Sequence, residues 1–342
     1  MQMRRSRIRN RVMVLALIAL IVVGLLLAAY ALTQEEDAPP DQTHVTLFLS
    51  YVPSVQFAPV YIAIERGYFA DEGIDIEIEN SFNEADGVQR LGSNDLEFGI
   101  VSGEQVVLGR GQNLPLVYVM EWYHRFPVGI VSPVDEGITE PADLAGRIVG
   151  VPGPYGASYL GLRALLASAD LTEADLGELR SIGFAAPEEI CQGQVEAAAV
   201  YIANEPLTIE QECTEVNVIE VSDYTNLVAN GLVTNEQTIG DNPDLVRGMV
   251  RAILRGIADT LADPDTAFQI SVEKYVTDLP EDQYDTQRQV LQNSLALWQS
   301  DRPGAVDPEA WDRTQTILLD TGLLTAPLDD LSAGYNMSFL PE

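Results

Sequence analysis

The stretch QFAPVYIAIERGYFADEGIDIEIEN, residues 56–80, sets the architecture of the chain. Residues 56–66 place apolar side chains at helical spacing and stop at Gly67, the residue type that most readily ends a helix. The aromatic pair Tyr68 and Phe69 follows. Then IDIEIE (residues 74–79) alternates strictly, so Ile74, Ile76 and Ile78 face one way and the acids the other. Upstream, HVTLFLSYV (residues 44–52) is rich in β-branched and aromatic residues and halts at Pro53. Strand, helix and strand in that order make a β-α-β unit. Ligands of open α/β sheets sit beyond the carboxyl ends of such strands.

The alternation continues down the chain. Helices are expected near 84–92 and 104–110, and strands over 96–101 and 114–123. The pattern restarts with strands at 128–132 and 147–151, a helix over 157–168, a strand near 179–184, a helix at 187–194 and the apolar strand VEAAAVYI, residues 195–202. Strands are also expected at 216–221 and 227–234. From residue 242 onward the spacing is helical, over 245–261, 265–276, 281–299 and 308–319. This reads as an α/β protein of two similar units with largely parallel sheets, plus a helical tail that most simply covers the first unit. The chain then crosses between units near 126–130 and returns near 226–233, and two crossings make a hinge with a cleft. The expected divisions are lobe 1 over 44–127 plus 229–342 and lobe 2 over 128–228.

What precedes the lobes is of another kind. Arg4, Arg5, Arg7, Arg9 and Arg11 lead into an uncharged apolar run over residues 12–32. At a rise of about 1.5 Å per residue that run covers the roughly 30 Å of a hydrocarbon core. The arginines stay inside, so the rest of the chain lies outside the cytoplasm. Residues 1–34 are expected to act as a membrane anchor, with cleavage after Ala29-Tyr30-Ala31 the other fate, and 35–43 as an acidic linker.

All 52 acids follow residue 34, against 14 basic residues (19 less the five leading arginines), so the exported part carries −38. Such a surface repels nucleic acid and anionic headgroups. Lysine occurs once, at Lys274, so any cationic recognition falls to arginine. The two cysteines, Cys191 and Cys213, form either a disulfide or two buried thiols, structural in both cases. With no CxxC and only His44 and His124, a metal site is not expected.

APVYIAIERGYFADEGIDIEIE, LGSNDLEFGIVSGEQVVLGRGQNLPLVYV and GQVEAAAVYIANEP, in that order, resemble the solute-binding proteins of ABC importers. The similarity is greatest to the group that binds pyrimidine precursors of thiamine, which also includes riboflavin-binding components, and it covers residues 44–320. It implies the two-lobed type II periplasmic-binding-protein, or Venus-flytrap, fold, a small-molecule ligand and a membrane permease as partner, with the receptor a monomer and no cofactor. The same superfamily contains a pyrimidine synthase with a cysteine-rich signature and an essential histidine. Neither occurs here, so an enzyme is not expected.

Five segments are expected to reach the cleft. In the first, Tyr51 can stack on a planar ligand and Gln56 can bond a heterocycle edge, although Tyr51 could equally pack between sheet and helix. In the second, Ser102 and Glu104 open a helix whose free N–H groups point outward, or simply cap it and complement its dipole. The third, MEWYHRF (residues 120–126), sets Trp122 beside Tyr123, and since successive strand side chains face opposite ways, at least one of them should face solvent or the cleft, with a binding role expected for one of the pair. Arg125 either serves the ligand or pairs with surface acids. In the fourth, Tyr155, Gly156 and Ser158 begin a helix whose end suits a carbonyl, carboxylate or phosphate. It lacks the lysine of a P-loop and the glycines of a dinucleotide loop. In the fifth, Tyr201, Asn204 and Glu205 offer donors and acceptors to a heterocycle edge. Trp298 and Trp311 sit at apolar helical spacing and read as core.

These groups favour an uncharged flat heterocycle, best riboflavin, over a phosphorylated thiamine pyrimidine precursor, which would want Arg125 and the 156–158 helix end together. A sensory or scaffold ectodomain without a ligand is the reading from another class.

Overall fold

A computed structural model describes residues 42–341. The described residues hold the strands β1 (Thr43–Leu49), β2 (Ile74–Asn80), β3 (Phe98–Val101), β4 (Leu116–Glu121), β5 (Val128–Pro133), β6 (Ile148–Val151), β7 (Glu178–Ser181), β8 (Ala197–Tyr201), β9 (Val216–Glu220) and β10 (Gly231–Asn235). They sort into two five-stranded sheets, ordered β2-β1-β3-β10-β4 and β7-β6-β8-β5-β9. In the first, β1 is parallel to β2 and β3, while β10 runs against β3 and β4. In the second, β6 is parallel to β7 and β8, while β5 runs against β8 and β9. Both sheets are therefore mixed. The reversed strand is in each case the first one laid down after the chain passes from one sheet to the other.

The opening stretch forms as its pattern requires, with one addition. A 3-10 turn (Val55–Phe57) leads into the helix Ala58–Glu65. Gly67 then takes φ +72°, a left-handed conformation that only glycine adopts cheaply. A second, short helix (Tyr68–Asp71) starts at once and was not expected. It buries Phe69, while the Tyr68 hydroxyl donates to Asp259 and the Arg255 guanidinium lies 3.7 Å over its ring. In β2 the isoleucines turn inward and Asp75 and Glu77 stay exposed.

Leu47, Leu49, Ile100 and Val119 of the first sheet and Val128, Val149 and Val151 of the second belong to one continuous core. Each such side chain contributes about 1.5–3 kcal/mol by leaving water. The helix Pro243–Ala262 lies along Ala58–Glu65 in the first half. The helix Tyr284–Trp298 also reaches the helix Glu205–Glu212, and Pro308–Asp320 touches Gly156–Ser168. Polar bonds add to this: the Thr286 hydroxyl donates to Gln211 Oε1 at 2.6 Å, and Arg313 Nε donates to the Asn226 carbonyl at 2.8 Å. The tail therefore spans both halves, where the expectation was the first alone.

Cys191 and Cys213 are joined as a disulfide, which ties the helix Ala186–Cys191 to the end of Glu205–Glu212. The apolar run over residues 12–32 lies outside the described residues, and no described helix is long and apolar enough to cross a membrane.

Candidate ligand-binding cleft

The carboxyl ends of β1 to β4 and of β6 to β8 point at one another across a cavity of about 680 Å³. Between the sheets run two crossings, one from β4 to β5 and one from β9 to β10. They lie side by side, since the backbone N–H groups of Trp122 and Tyr123 both donate to the Asn230 carbonyl, at 2.9 and 3.3 Å.

The back of the cavity is aromatic. Trp122 and Tyr123 both line it although only 2% and 4% of their surface is exposed. The alternation expected of a strand does not apply to them, because β4 ends at Glu121 and the crossing turns both rings to the same space. Trp298 braces the pair: it stacks on Tyr123 with ring centres 5.9 Å apart and meets Trp122 edge-on at 5.7 Å. A wall so backed offers flat faces with little rotamer freedom left to lose on binding.

A polar chain crosses the floor. The Tyr201 hydroxyl donates to Asn230 Oδ1 at 3.3 Å, and Asn230 Nδ2 donates to Ser102 Oγ at 3.4 Å. The Ser102 hydroxyl and backbone N–H both donate to Glu84 Oε1, at 3.0 and 2.7 Å. Ser102 holds the N-cap position of the helix Gly103–Gly111, yet its hydroxyl serves Glu84 and does not cap the helix. Burial pushes the Glu84 carboxyl above the usual range, against the pull of the Ser102 bonds. Burial likewise pushes Glu205 up to about 7. Glu104, behind the wall, is pushed up to about 8 by burial first and by the charge of Glu84 second.

Three rings meet at the mouth. Phe82 follows β2 and Phe184 follows β7, so they come from different sheets, and they stack at 4.9 Å. Tyr51 meets both edge-on, at 5.3 and 6.1 Å. Phe82 and Phe184 escaped the sequence reading. They sit in short loops outside any periodicity, and their one visible signal is an aromatic residue just past a strand's carboxyl end.

Of the residues singled out from sequence, the structure gathers Tyr51, Gln56, Ser102, Trp122, Tyr123, Tyr155, Gly156, Ser158, Tyr201 and Glu205 around the cavity. Tyr51 lines it and is not confined between sheet and helix. Tyr155 stands at the rim, 63% exposed. Gly156 takes φ +76° as it opens its helix, and no side chain caps that end. Two residues fall off the wall. Glu104 is turned into the protein, where its Oε1 accepts from Gln105 Nε2 at 3.2 Å. Asn204 precedes the helix Glu205–Glu212 and its amide donates to Glu205 Oε1 at 3.4 Å, behind the cavity surface. Arg125 follows the alternative given for it, with Nη2 on Glu220 at 2.8 Å, Ser222 at 2.8 Å and Asp223 at 3.3 Å, away from the cavity. Trp298 and Trp311 are core.

The chain is similar to known proteins in sequence and in fold. The sequence profile described as NMT1/THI5 like matches residues 54–267. The riboflavin-binding protein RibY of Chloroflexus aurantiacus is 38% identical over 313 residues, 89% of this chain and 88% of that one. The formylaminopyrimidine-binding protein of Halalkalibacterium halodurans is 27% identical over 85% of this chain and 90% of its own. Among solved structures, the periplasmic aliphatic sulphonate binding protein SsuA of Escherichia coli superposes with a TM-score of 0.71, covering 87% of this chain and 94% of that one at 15% identity, a likeness of fold alone. The chain belongs to the NMT1/THI5-like family, in the two-lobed fold of periplasmic binding proteins.

Proposed function

We propose that this chain is the extracytoplasmic receptor of an ABC importer, that it closes on riboflavin and that it presents the vitamin to a membrane permease. The observation that carries the reading is the braced aromatic wall of Trp122 and Tyr123 inside an interlobe cavity large enough for a three-ring heterocycle. The 38% identity to a riboflavin-binding protein over most of the chain supports it. Tyr51, Tyr155 and Tyr201 supply further ring faces and edges, and Gln56, Ser102, Ser158, Glu205 and Asn230 supply donors and acceptors. The lobes are 44–127 with 229–342, and 128–228, hinged at the two crossings. The leading arginines and the apolar run at 12–32 hold the receptor at the outer face of the membrane.

A phosphorylated thiamine pyrimidine is the weaker reading, because Arg125, the cation it would use, is held by Glu220 and Asp223 away from the cavity. Titrating the purified protein into riboflavin and following flavin fluorescence tests the proposal. Stacking against tryptophan and tyrosine should quench the flavin with one site per chain. Fluorescence unchanged at micromolar protein would remove riboflavin as the ligand. A receptor that stacks its ligand must also lose affinity on Trp122→Ala or Tyr155→Ala, which separates it from a scaffold ectodomain.

A further inference from the structure

We propose that Glu84 and Glu205 make the cleft a charge filter, which admits the unphosphorylated flavin and rejects its phosphate esters. The inference rests on the riboflavin reading and adds the residues that discriminate. Among the residues lining the cavity none is lysine, arginine or histidine, and two, Glu84 in the first half and Glu205 in the second, are acids. Among the described residues, the arginines that form ion pairs form them away from the cavity, as Arg90 does with Glu79 and Arg163 with Glu173.

Glu84 does more than add charge. Its Oε1 accepts the Ser102 backbone N–H at the start of the helix Gly103–Gly111. That is where a ligand phosphate would otherwise find free N–H groups and a favourable dipole. The protein's own carboxyl already occupies the anion position. Glu205 Oε2 is enclosed with no hydrogen-bond partner, so it is an acceptor in want of a donor. The hydroxyls of a ribityl chain are such donors, whereas a phosphate monoester brings acceptors and negative charge. The same two side chains thus welcome a polyol and repel its phosphate. The uncapped end of Gly156–Ser168 is one partial positive charge set against two carboxyls. It follows that phosphomonoester hydrolysis outside the membrane must precede uptake of a phosphorylated flavin.

Titration of the full-length protein with riboflavin and with flavin mononucleotide, side by side at about pH 8.5, above the raised titration of Glu205 near 7, tests the filter. Riboflavin should bind at least about 100-fold more tightly, on the order of tenfold for each opposed carboxyl. Glu84→Gln and Glu205→Gln should each narrow that ratio by about tenfold. Should either variant fail to fold, the wild type still decides. Raising salt from about 20 mM to about 0.5 M screens repulsion, so mononucleotide affinity must rise while riboflavin affinity holds. Equal affinity for the two flavins, or mononucleotide binding that weakens with salt, overturns the filter and leaves the riboflavin reading standing. Absence of riboflavin binding removes both.

Discussion

Replacing Glu104 by glutamine should stabilise this protein, and only at high pH. The side chain is 1% exposed, its Oε2 has no partner, and Glu84 stands near it. Its carboxyl is raised from the ordinary 4.5 to about 8, so the folded state binds this proton more tightly than the unfolded chain does. Between about pH 4.5 and 8 the native state therefore carries more protons, and stability falls as pH rises through that window, levelling above it. At about 1.4 kcal/mol per unit the shift sets an upper bound near 5 kcal/mol. Relaxation and water entry reduce such figures by half or more, which leaves about 2 kcal/mol. Glutamine keeps the shape and cannot ionise. Thermal melts of wild type and Glu104→Gln across pH 5 to 9 should coincide at the acid end. They should diverge by about 4 °C at the alkaline end, with the variant higher. Parallel curves, or a variant that is weaker at pH 9, would show that this carboxyl is not a strained, desolvated group.

Further expectations concern the cleft and its supports. Trp122→Ala removes a braced stacking face and should weaken riboflavin by about 10- to 100-fold in a fluorescence titration. Phe184→Ala breaks its contacts with Phe82 and Tyr51 at the mouth and should speed ligand release about three- to tenfold in stopped-flow chase experiments; an unchanged off-rate would mean the rings do not hold the halves together. Cys191→Ser opens a loop of 22 residues. It should lower stability by about 3 kcal/mol in denaturant titrations while leaving ligand affinity unchanged, because neither cysteine lines the cavity.

Much of the fold was legible because burial imposes periodicity. The alternation of Ile74, Ile76 and Ile78, the stop at Gly67 and the apolar run of β8 all follow from which faces leave water. Strand direction was not legible, since a run such as VGIVS has the same pattern read either way. The reversal of β5 and β10 is set by the crossings. The site was readable where a large polar or aromatic side chain stands at a strand's end, as with Tyr51, Trp122 and Tyr201. It was unreadable at Glu84, which in sequence is an ordinary acid in a helix's first turn but in the structure binds Ser102 on a different element. Phe82 and Phe184 find each other over about a hundred residues, a pairing that no local pattern encodes.

A structure of the protein with riboflavin bound tests the central claim most directly. The account predicts the isoalloxazine lying against Trp122 and Tyr123, its ribityl hydroxyls near Glu84 or Glu205, and Phe82 closed on Phe184 above it. A flavin seated outside this cavity, or a cavity collapsed with those rings packed against one another and no room for a guest, would contradict it.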